Sequence, residues 1–133
     1  MIRKPVHSHV REELIDISRI VEDAVREVGI ADGICVVFTP HTTAALTINE
    51  NSDPAVKSDL IEILAGLIPR SPRYRHSEGN SDAHAKASLV GSSVTIPIVS
   101  GKPALGTWQG IMFCEFDGPR SRQVFIQLIS AAS

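Results

Sequence analysis

The chain has 133 residues and a mass of 14.4 kDa, which is enough for one compact domain with a core and too little for a fold such as a TIM barrel. Apolar residues make up 43% of it and the net charge is −2, which favours a folded, soluble protein and gives no sign of a nucleic-acid partner. No signal peptide or membrane-spanning segment is recognisable. We therefore predict a single domain over residues 1–133, located in the cytoplasm, with no membrane partner.

The first half of the chain predicts a helix followed by a buried strand. Ser18 is the expected N-cap of the helix, Gly29 ends it, and four small apolar residues share one face: Val21, Ala24, Val25 and Val28. Residues 33–39, "GICVVFT", are rich in β-branched side chains and precede a proline, so they read as a strand. Cys35 lies in this run and Cys114 in a second apolar run, and we expect both thiols to be buried and reduced.

A second strand and a second helix follow. Residues 44–50, "AALTINE", alternate in a way that predicts a half-exposed strand with Glu50 at its tip. Asp53 and Pro54 then start a helix that ends before Pro69 and carries an apolar stripe of Val56, Leu60, Ile63, Leu64 and Leu67.

The second half predicts a long polar loop, a short helix and three strands. The loop spans residues 69–80, and Ser81 is the expected cap of a helix that ends at Gly91. The strands are "SVTIPIV", "IMFCEF" and "RQVFIQLI", and "IRKPVHSHV" at the start of the chain is a weaker candidate. This order indicates an α+β domain built on antiparallel or mixed sheet.

Three of the five histidines, His41, His76 and His84, fall at a strand end or in and after the long loop. The gap between His76 and His84 is not the i, i+4 spacing of two ligands on a helix, so spacing alone leaves open whether they are surface residues or a metal site. In the first turn of a helix the macrodipole favours a neutral His84, as a metal requires. Asp82 in that turn could orient a ligand or accept a proton, or could simply favour the helix start.

Other polar groups also have two interpretations. Glu50 is either a catalytic carboxylate at a strand tip or part of a solvated turn. Trp108 and Gln109 in "GTWQG" could stack on a flat ring and bind its edge, or Trp108 could belong to the core. A set of basic residues could bind phosphate oxygens or could be solvated: Arg70, Arg73, Arg75, Lys86, Arg120 and Arg122.

Three segments in this order, "PHTTAALTINENSDP", "HSEGNSDAHAKASLVG" and "GKPALGTWQGI", resemble the YjbQ family, also called uncharacterised protein family 0047 or the secondary thiamine-phosphate synthase family. The resemblance covers nearly the whole chain. It implies an α+β single domain with a β-sandwich-like core of mixed or antiparallel sheet and two to three helices, assembled as a homotrimer.

The resemblance also implies a pocket with a metal held by His41, His76 and His84. The chemistry of three neutral imidazoles favours zinc, with magnesium the alternative. The implied activity is that of a transferase joining a pyrimidine pyrophosphate to a thiazole phosphate, with Asp82 or Glu50 as proton acceptor and with Asn80, Lys86, Trp108 and Gln109 as residues that bind the substrate. The alternative is a trimeric metal- or anion-binding protein with only trace activity, and in a third interpretation the polar loop serves assembly.

Overall fold

The computed structural model describes residues 1–132 and has three helices and eight strands within them. Both the strand candidate at the start of the chain and the α+β class are confirmed. The elements are β1 Ile2–His7, β2 Glu13–Asp16, α1 Ser18–Val28, β3 Gly33–Phe38, β4 Ala44–Glu50, α2 Pro54–Leu67, α3 Ser81–Val90, β5 Ser93–Val99, β6 Lys102–Pro103, β7 Gln109–Glu115 and β8 Ser121–Ser130.

The strands form two antiparallel sheets packed in layers. The larger has the order β1–β8–β3–β5–β6 and the smaller has the order β2–β7–β4. One hydrophobic cluster fills the space between the sheets and extends to α1. A second cluster lies between the smaller sheet and the helices α2 and α3, so the smaller sheet is the middle layer.

This middle position explains why the strand around Cys114 reads as an unbroken apolar run. Ile111 and Phe113 of β7 belong to the cluster between the sheets, whereas Met112 and Cys114 belong to the cluster under the helices. The prediction that residues 44–50 form a half-exposed strand is therefore wrong for its first half. Residues 44–46 are all buried, because both faces of β4 are covered there.

Two helix starts differ from the predictions. Ile17 rather than Ser18 is the N-cap residue of α1, and the Ser18 hydroxyl instead accepts a hydrogen bond from the backbone N–H of Ile111 at 2.9 Å. The N-cap residue of α3 is Asn80 rather than Ser81. The predicted cap of α2 is confirmed, since the Asp53 side chain accepts from the N–H of Ala55.

The apolar stripe predicted on α2 is only partly used. Leu60 and Leu64 pack against the second hydrophobic cluster, but Ile63 and Leu67 are more than 60% exposed. No residue of α2 is fully buried, so this helix lies at the periphery of the fold.

Both cysteines are buried and unpaired, as predicted. Burial raises the pKa of Cys35 to about 11 and that of Cys114 to about 12, so neither thiol ionises near neutral pH. None of the helices in residues 1–132 is long and apolar enough to cross a membrane.

Candidate functional site

The three predicted histidines line one cleft, although they come from distant parts of the chain. His41 lies in the connection between β3 and β4, His76 in the loop before α3, and His84 on α3 itself. The cleft has a volume of about 420 Å³, and we call it the histidine cleft. It is lined by Pro40, His41, Thr42, Thr43, His76, Glu78, Asn80, His84, Asp117, Arg120 and Arg122.

The rings of His76 and His84 lie side by side at the α3 wall of this cleft. Their centroids are 5.4 Å apart and the rings are nearly perpendicular. Two imidazoles bound to one tetrahedral zinc through nitrogens at about 2.0–2.1 Å have centroids roughly 5 Å apart. The separation of these two rings is therefore compatible with one shared ion.

His41 is held differently, by the backbone of β8. The N–H of Gln123 donates a hydrogen bond to Nε2 of His41 at 3.0 Å. Burial lowers the pKa of His41, and the nearby Arg122 cation lowers it further, against an opposing effect of Glu115. The ring is therefore neutral near pH 7, and it uses one nitrogen lone pair within the protein.

The donor types suit a zinc ion, but the arrangement does not complete a three-histidine site. The Nε2 lone pair of His41 is occupied by a hydrogen bond. Within residues 1–132, no three side chains of the His, Cys, Asp and Glu types are grouped closely enough to hold a metal ion. The three-histidine metal site stays a prediction, and only the pair of His76 and His84 has a separation that fits it.

A buried ion pair forms the floor of the histidine cleft. Nε of Arg122 donates to Oε1 of Glu115 at 2.9 Å, and its Nη2 donates to Oε2 of Glu115 and to the hydroxyl of Thr43. The Ser8 hydroxyl also donates to Glu115, at 2.7 Å. Burial alone would raise the pKa of Glu115, but the hydrogen bonds from Arg122 and Ser8 lower it overall. These contacts fix Arg122 and leave its Nη1 without a hydrogen bond to the described residues.

A second arginine and an asparagine meet at the rim. Arg120 donates through Nη2 to Oδ2 of Asp117 at 2.9 Å, and the side-chain amide of Asn80 donates to the same oxygen at 2.7 Å. Oδ1 of Asn80 is buried and has no hydrogen-bond partner in the described structure. Rotating the Asn80 amide by 180° would place its Oδ1 against the Asp117 carboxylate, so the orientation of the amide is fixed. A buried acceptor of this kind is completed by a donor in the cleft, which a water molecule or a ligand N–H or O–H can supply.

Asp82 and Lys86 lie outside the histidine cleft, in a buried ion cluster beneath α3. The Asp82 carboxylate is fully buried and accepts from Arg11 at 3.1 Å and from Lys86 at 3.2 Å. Lys86 also donates to Glu12 at 3.0 Å. Burial alone would raise the pKa of Asp82, but the hydrogen bonds from Lys86 and Arg11 lower it overall. Both side chains anchor the helix that carries His84.

Glu50, Trp108 and Gln109 lie at the other end of the smaller sheet. In the β4–β7 register Glu50 is opposite Gln109, whereas Ala44, close to His41, is opposite Glu115. Six residue steps of about 3.4 Å separate these ends by roughly 20 Å. Trp108 is 64% exposed, so it is not a core residue, and within one chain these three residues do not line the histidine cleft.

The sequence leaves Arg120 and Arg122 as two of six basic residues that either bind phosphate oxygens or are solvated, and it does not single them out. No role follows from the sequence for Thr43 or Asp117, which also line the cleft. Glu115 is the sequence feature that could have identified Arg122. It is an acidic residue inside the apolar run "GIMFCEF", and a carboxylate buried there requires a cation nearby.

The chain is similar to proteins of one family along almost its whole length. Residues 3–131 match the model of the family described as UPF0047 protein YjbQ-like. The UPF0047 protein MJ1081 of Methanocaldococcus jannaschii is 53% identical over 97% of this chain and 94% of its own length. The UPF0047 protein YugU of Bacillus subtilis is 48% identical, over 90% of this chain and 91% of its own length.

The fold is similar to solved structures as well. A crystal structure of a YjbQ/UPF0047 protein from Clostridium acetobutylicum superposes with a TM-score of 0.95 at 52% sequence identity, covering 97% of this chain and all of that one. A hypothetical protein from Aeropyrum pernix superposes with a TM-score of 0.91 at 35% identity, covering 97% of each chain. None of these names states a reaction. The chain belongs to the YjbQ-like UPF0047 family.

Proposed function

We propose that the histidine cleft binds a phosphorylated small molecule, and that the protein joins a pyrimidine pyrophosphate to a thiazole phosphate in the manner of a thiamine-phosphate synthase. The observation that carries this proposal is the meeting of two arginines and three imidazoles in one cleft. The acidic side chains beside the arginines hold them in place, so the cleft is prepared for an anion before the anion arrives.

The arginines form the phosphate-binding end. Arg122 is 8% exposed and held by Glu115, whereas Arg120 reaches the rim and is held by Asp117. In both, the hydrogen bonds to the acidic partner use Nε and Nη2, which leaves Nη1 for a ligand. Guanidinium groups with a fixed orientation bind phosphate oxygens through strong, charge-assisted hydrogen bonds.

A neighbouring hollow can take the heterocycle of the same substrate. It has a volume of about 510 Å³, shares His41 and His84 with the histidine cleft, and is lined on its apolar side by Phe38, Ala44 and Ala87. Phe38 is 40% exposed and offers a face for a flat ring. This aromatic side chain is the nearer candidate for stacking, since Trp108 lies at the far end of β4.

The reaction releases pyrophosphate, so negative charge develops on the leaving group. Arg120 and Arg122 are placed to stabilise that charge. Within one chain, the imidazoles of His76 and His84 and the carboxylate of Glu78 line the cleft as side chains that can accept a proton. Asp82 is enclosed by two cations and Glu50 is distant, so neither has this role. A divalent metal, zinc before magnesium, would be held by His76 and His84 as its ligands, and an imidazole that binds the metal would not also accept a proton. No step depends on the metal.

A turnover assay tests this function. Purified protein is mixed with the pyrimidine pyrophosphate and the thiazole phosphate, and pyrophosphate release is followed with time. We expect steady turnover from the wild type, a loss of at least about tenfold in His84→Ala, and no change in His9→Ala, since the His9 side chain is 81% exposed and outside the cleft. Release at the uncatalysed rate by the wild type would contradict the proposal.

A binding protein without turnover is the second candidate. It is favoured because two of the carboxylates at the cleft are already engaged in hydrogen bonds and are not free to act as bases. Asp117 accepts from Asn80 and Arg120, and Glu115 accepts from Arg122. Saturable binding of pyrophosphate together with background turnover would support this alternative.

We also propose that the protein assembles as a homotrimer. The outer face of the larger sheet supports self-association, because the neighbouring central strands β3 and β8 expose Ile34 and Ile129 there by 39% and 51%, opposite one another in the register. Light scattering after gel filtration should give three times the chain mass of 14.4 kDa. Ile129→Lys should reduce that mass, whereas Leu89→Lys on the exposed face of α3 should leave it unchanged.

A further inference from the structure

We propose that His41 is a neutral hydrogen-bond donor to a phosphate oxygen, acting through Nδ1–H, and that it is not a third metal ligand. This inference deepens the proposed function and rests on it for the identity of the ligand. The assignment of the nitrogen atoms rests on the geometry of β8 alone.

The strand register explains why the Gln123 N–H of β8 lacks a backbone acceptor and donates to the His41 ring. Pro5 of β1 is opposite Gln123 of β8, and because proline has no N–H, this pair cannot exchange hydrogen bonds. The Gln123 N–H therefore points to the other side, towards β3. β3 ends at Phe38, which lies opposite Phe125 of β8. Gln123 is two residues before Phe125, beyond the end of β3, so β3 offers the Gln123 N–H no carbonyl. Nε2 of His41 takes the place of that carbonyl, at 3.0 Å.

This hydrogen bond decides the tautomer of the ring. A backbone N–H only donates, so Nε2 must offer its lone pair, and the single proton of the neutral imidazole is on Nδ1. Turning the ring over would place the Cε1 carbon against the Gln123 N–H and lose the bond. A metal ligand needs a free lone pair, and in this tautomer His41 has none left.

The remaining donor is available to a ligand. His41 borders three hollows: the histidine cleft, the hollow lined by Phe38, and a third hollow lined by Lys4, Pro5 and Arg122. Nδ1 makes no hydrogen bond to the other described residues, and the Arg122 guanidinium lies in the same wall. An anionic oxygen that reaches Arg122 Nη1 is the partner whose chemistry suits an N–H donor at this position.

The tautomer is measured directly by long-range ¹H–¹⁵N correlation spectra of the histidine rings in the wild-type protein at pH 7.5. We expect His41 to show a protonated Nδ1 and an unprotonated Nε2. One equivalent of zinc should shift the ring nitrogens of His76 and His84 and leave both His41 nitrogens unchanged. A protonated Nε2, or a zinc-induced shift of either His41 ring nitrogen, would overturn the assignment.

Two substitutions then separate the two ring nitrogens. His41→Asn places an amide N–H near the position of Nδ1, whereas His41→Gln extends an amide oxygen towards Gln123 in place of Nε2. With inorganic pyrophosphate as the probe, we expect His41→Gln to weaken binding by about tenfold, the loss of one charge-assisted hydrogen bond. His41→Asn should bind within about threefold of wild type. The reverse order of affinities would overturn the role of Nδ1.

The two proposals fail in different ways. If the wild type binds no pyrophosphate, the proposed function fails, while the nuclear magnetic resonance result still decides the tautomer. If pyrophosphate binds but zinc coordinates His41 through either ring nitrogen, the function stands and the proposed role of His41 is refuted.

Discussion

Nζ of Lys86 lies 3.2 Å from Oδ2 of Asp82, one turn earlier on α3, with Lys86 only 1% exposed and Asp82 fully buried. Arg11 and Glu12, in the connection between β1 and β2, complete this ion cluster. The cluster ties the helix that carries His84 to the strand layer. A buried charge arrangement of this kind makes the position of the helix sensitive to the loss of any member.

We expect Lys86→Met to destabilise the protein by about 3 kcal/mol, because it leaves the buried Asp82 and Glu12 carboxylates with one cation fewer. Urea unfolding monitored by circular dichroism gives this quantity. Arg19→Met is the matched control: its partner is Asp23 and the arginine side chain is 83% exposed, so it should cost less than about 1 kcal/mol. Equal effects of the two substitutions would show that the cluster is not a structural anchor.

Stability should fall in acid because of the paired carboxylates. The folded-state pKa values of Asp82 and Glu115 lie below their ordinary values of 3.8 and 4.5. Their contribution is therefore complete above the ordinary values and is lost as the pH falls through the lowered folded values. His41, with its pKa lowered from 6.5, acts in the same direction from about pH 6.5 downwards.

Urea midpoints measured between pH 7.5 and pH 3 test this prediction. We expect a small decline from about pH 6.5 and a steep one below about pH 4.5. Asp82→Asn should flatten the steep part, and Asp59→Asn, at an exposed position of α2, should leave the profile as it is. A profile that stays flat down to pH 3 in the wild type would count against these ion pairs.

Two glycines should respond in opposite ways to alanine. A Cβ on Gly110 would lie 2.6 Å from the Cβ of Asn51, so Gly110→Ala should cost about 1–3 kcal/mol through overpacking. A Cβ on Gly66, in α2, would have no atom within 4 Å, and Gly66→Ala should stabilise the helix by about 0.5–1 kcal/mol. Melting temperatures of the two variants check the prediction, and a stabilised Gly110→Ala would contradict the close approach of β7 and Asn51.

The elements that the sequence predicts well are those whose signal is local. The cap at Asp53, the stop at Gly29 and the strand over residues 93–99 are confirmed because capping, chain reversal and β-branching act over a few residues. The strands β2 and β6 have four and two residues, which is too short to show an alternating hydrophobic pattern in the sequence. They form because β2 pairs with β7 and β6 pairs with β5.

The candidate site shows where local signals are insufficient. A polar residue in the first turn of a helix reads as exposed, and only tertiary packing reveals that Asp82 faces Arg11 and not the cleft. The antiparallel register likewise places Glu50 and Trp108 far from His41, which the order of motifs along the chain does not disclose. By contrast, His41, His76 and His84 do line one cleft, although their separation in sequence gives no such indication.

Calorimetric titration with inorganic pyrophosphate tests the central claim most directly, because it asks whether the histidine cleft is an anion site. We predict saturable binding at one site per chain, at least about tenfold weaker binding by Arg120→Met, and unchanged binding by Arg19→Met, which removes the same charge far from the cleft. No binding by the wild type, or equal binding by Arg120→Met and wild type, would contradict the account.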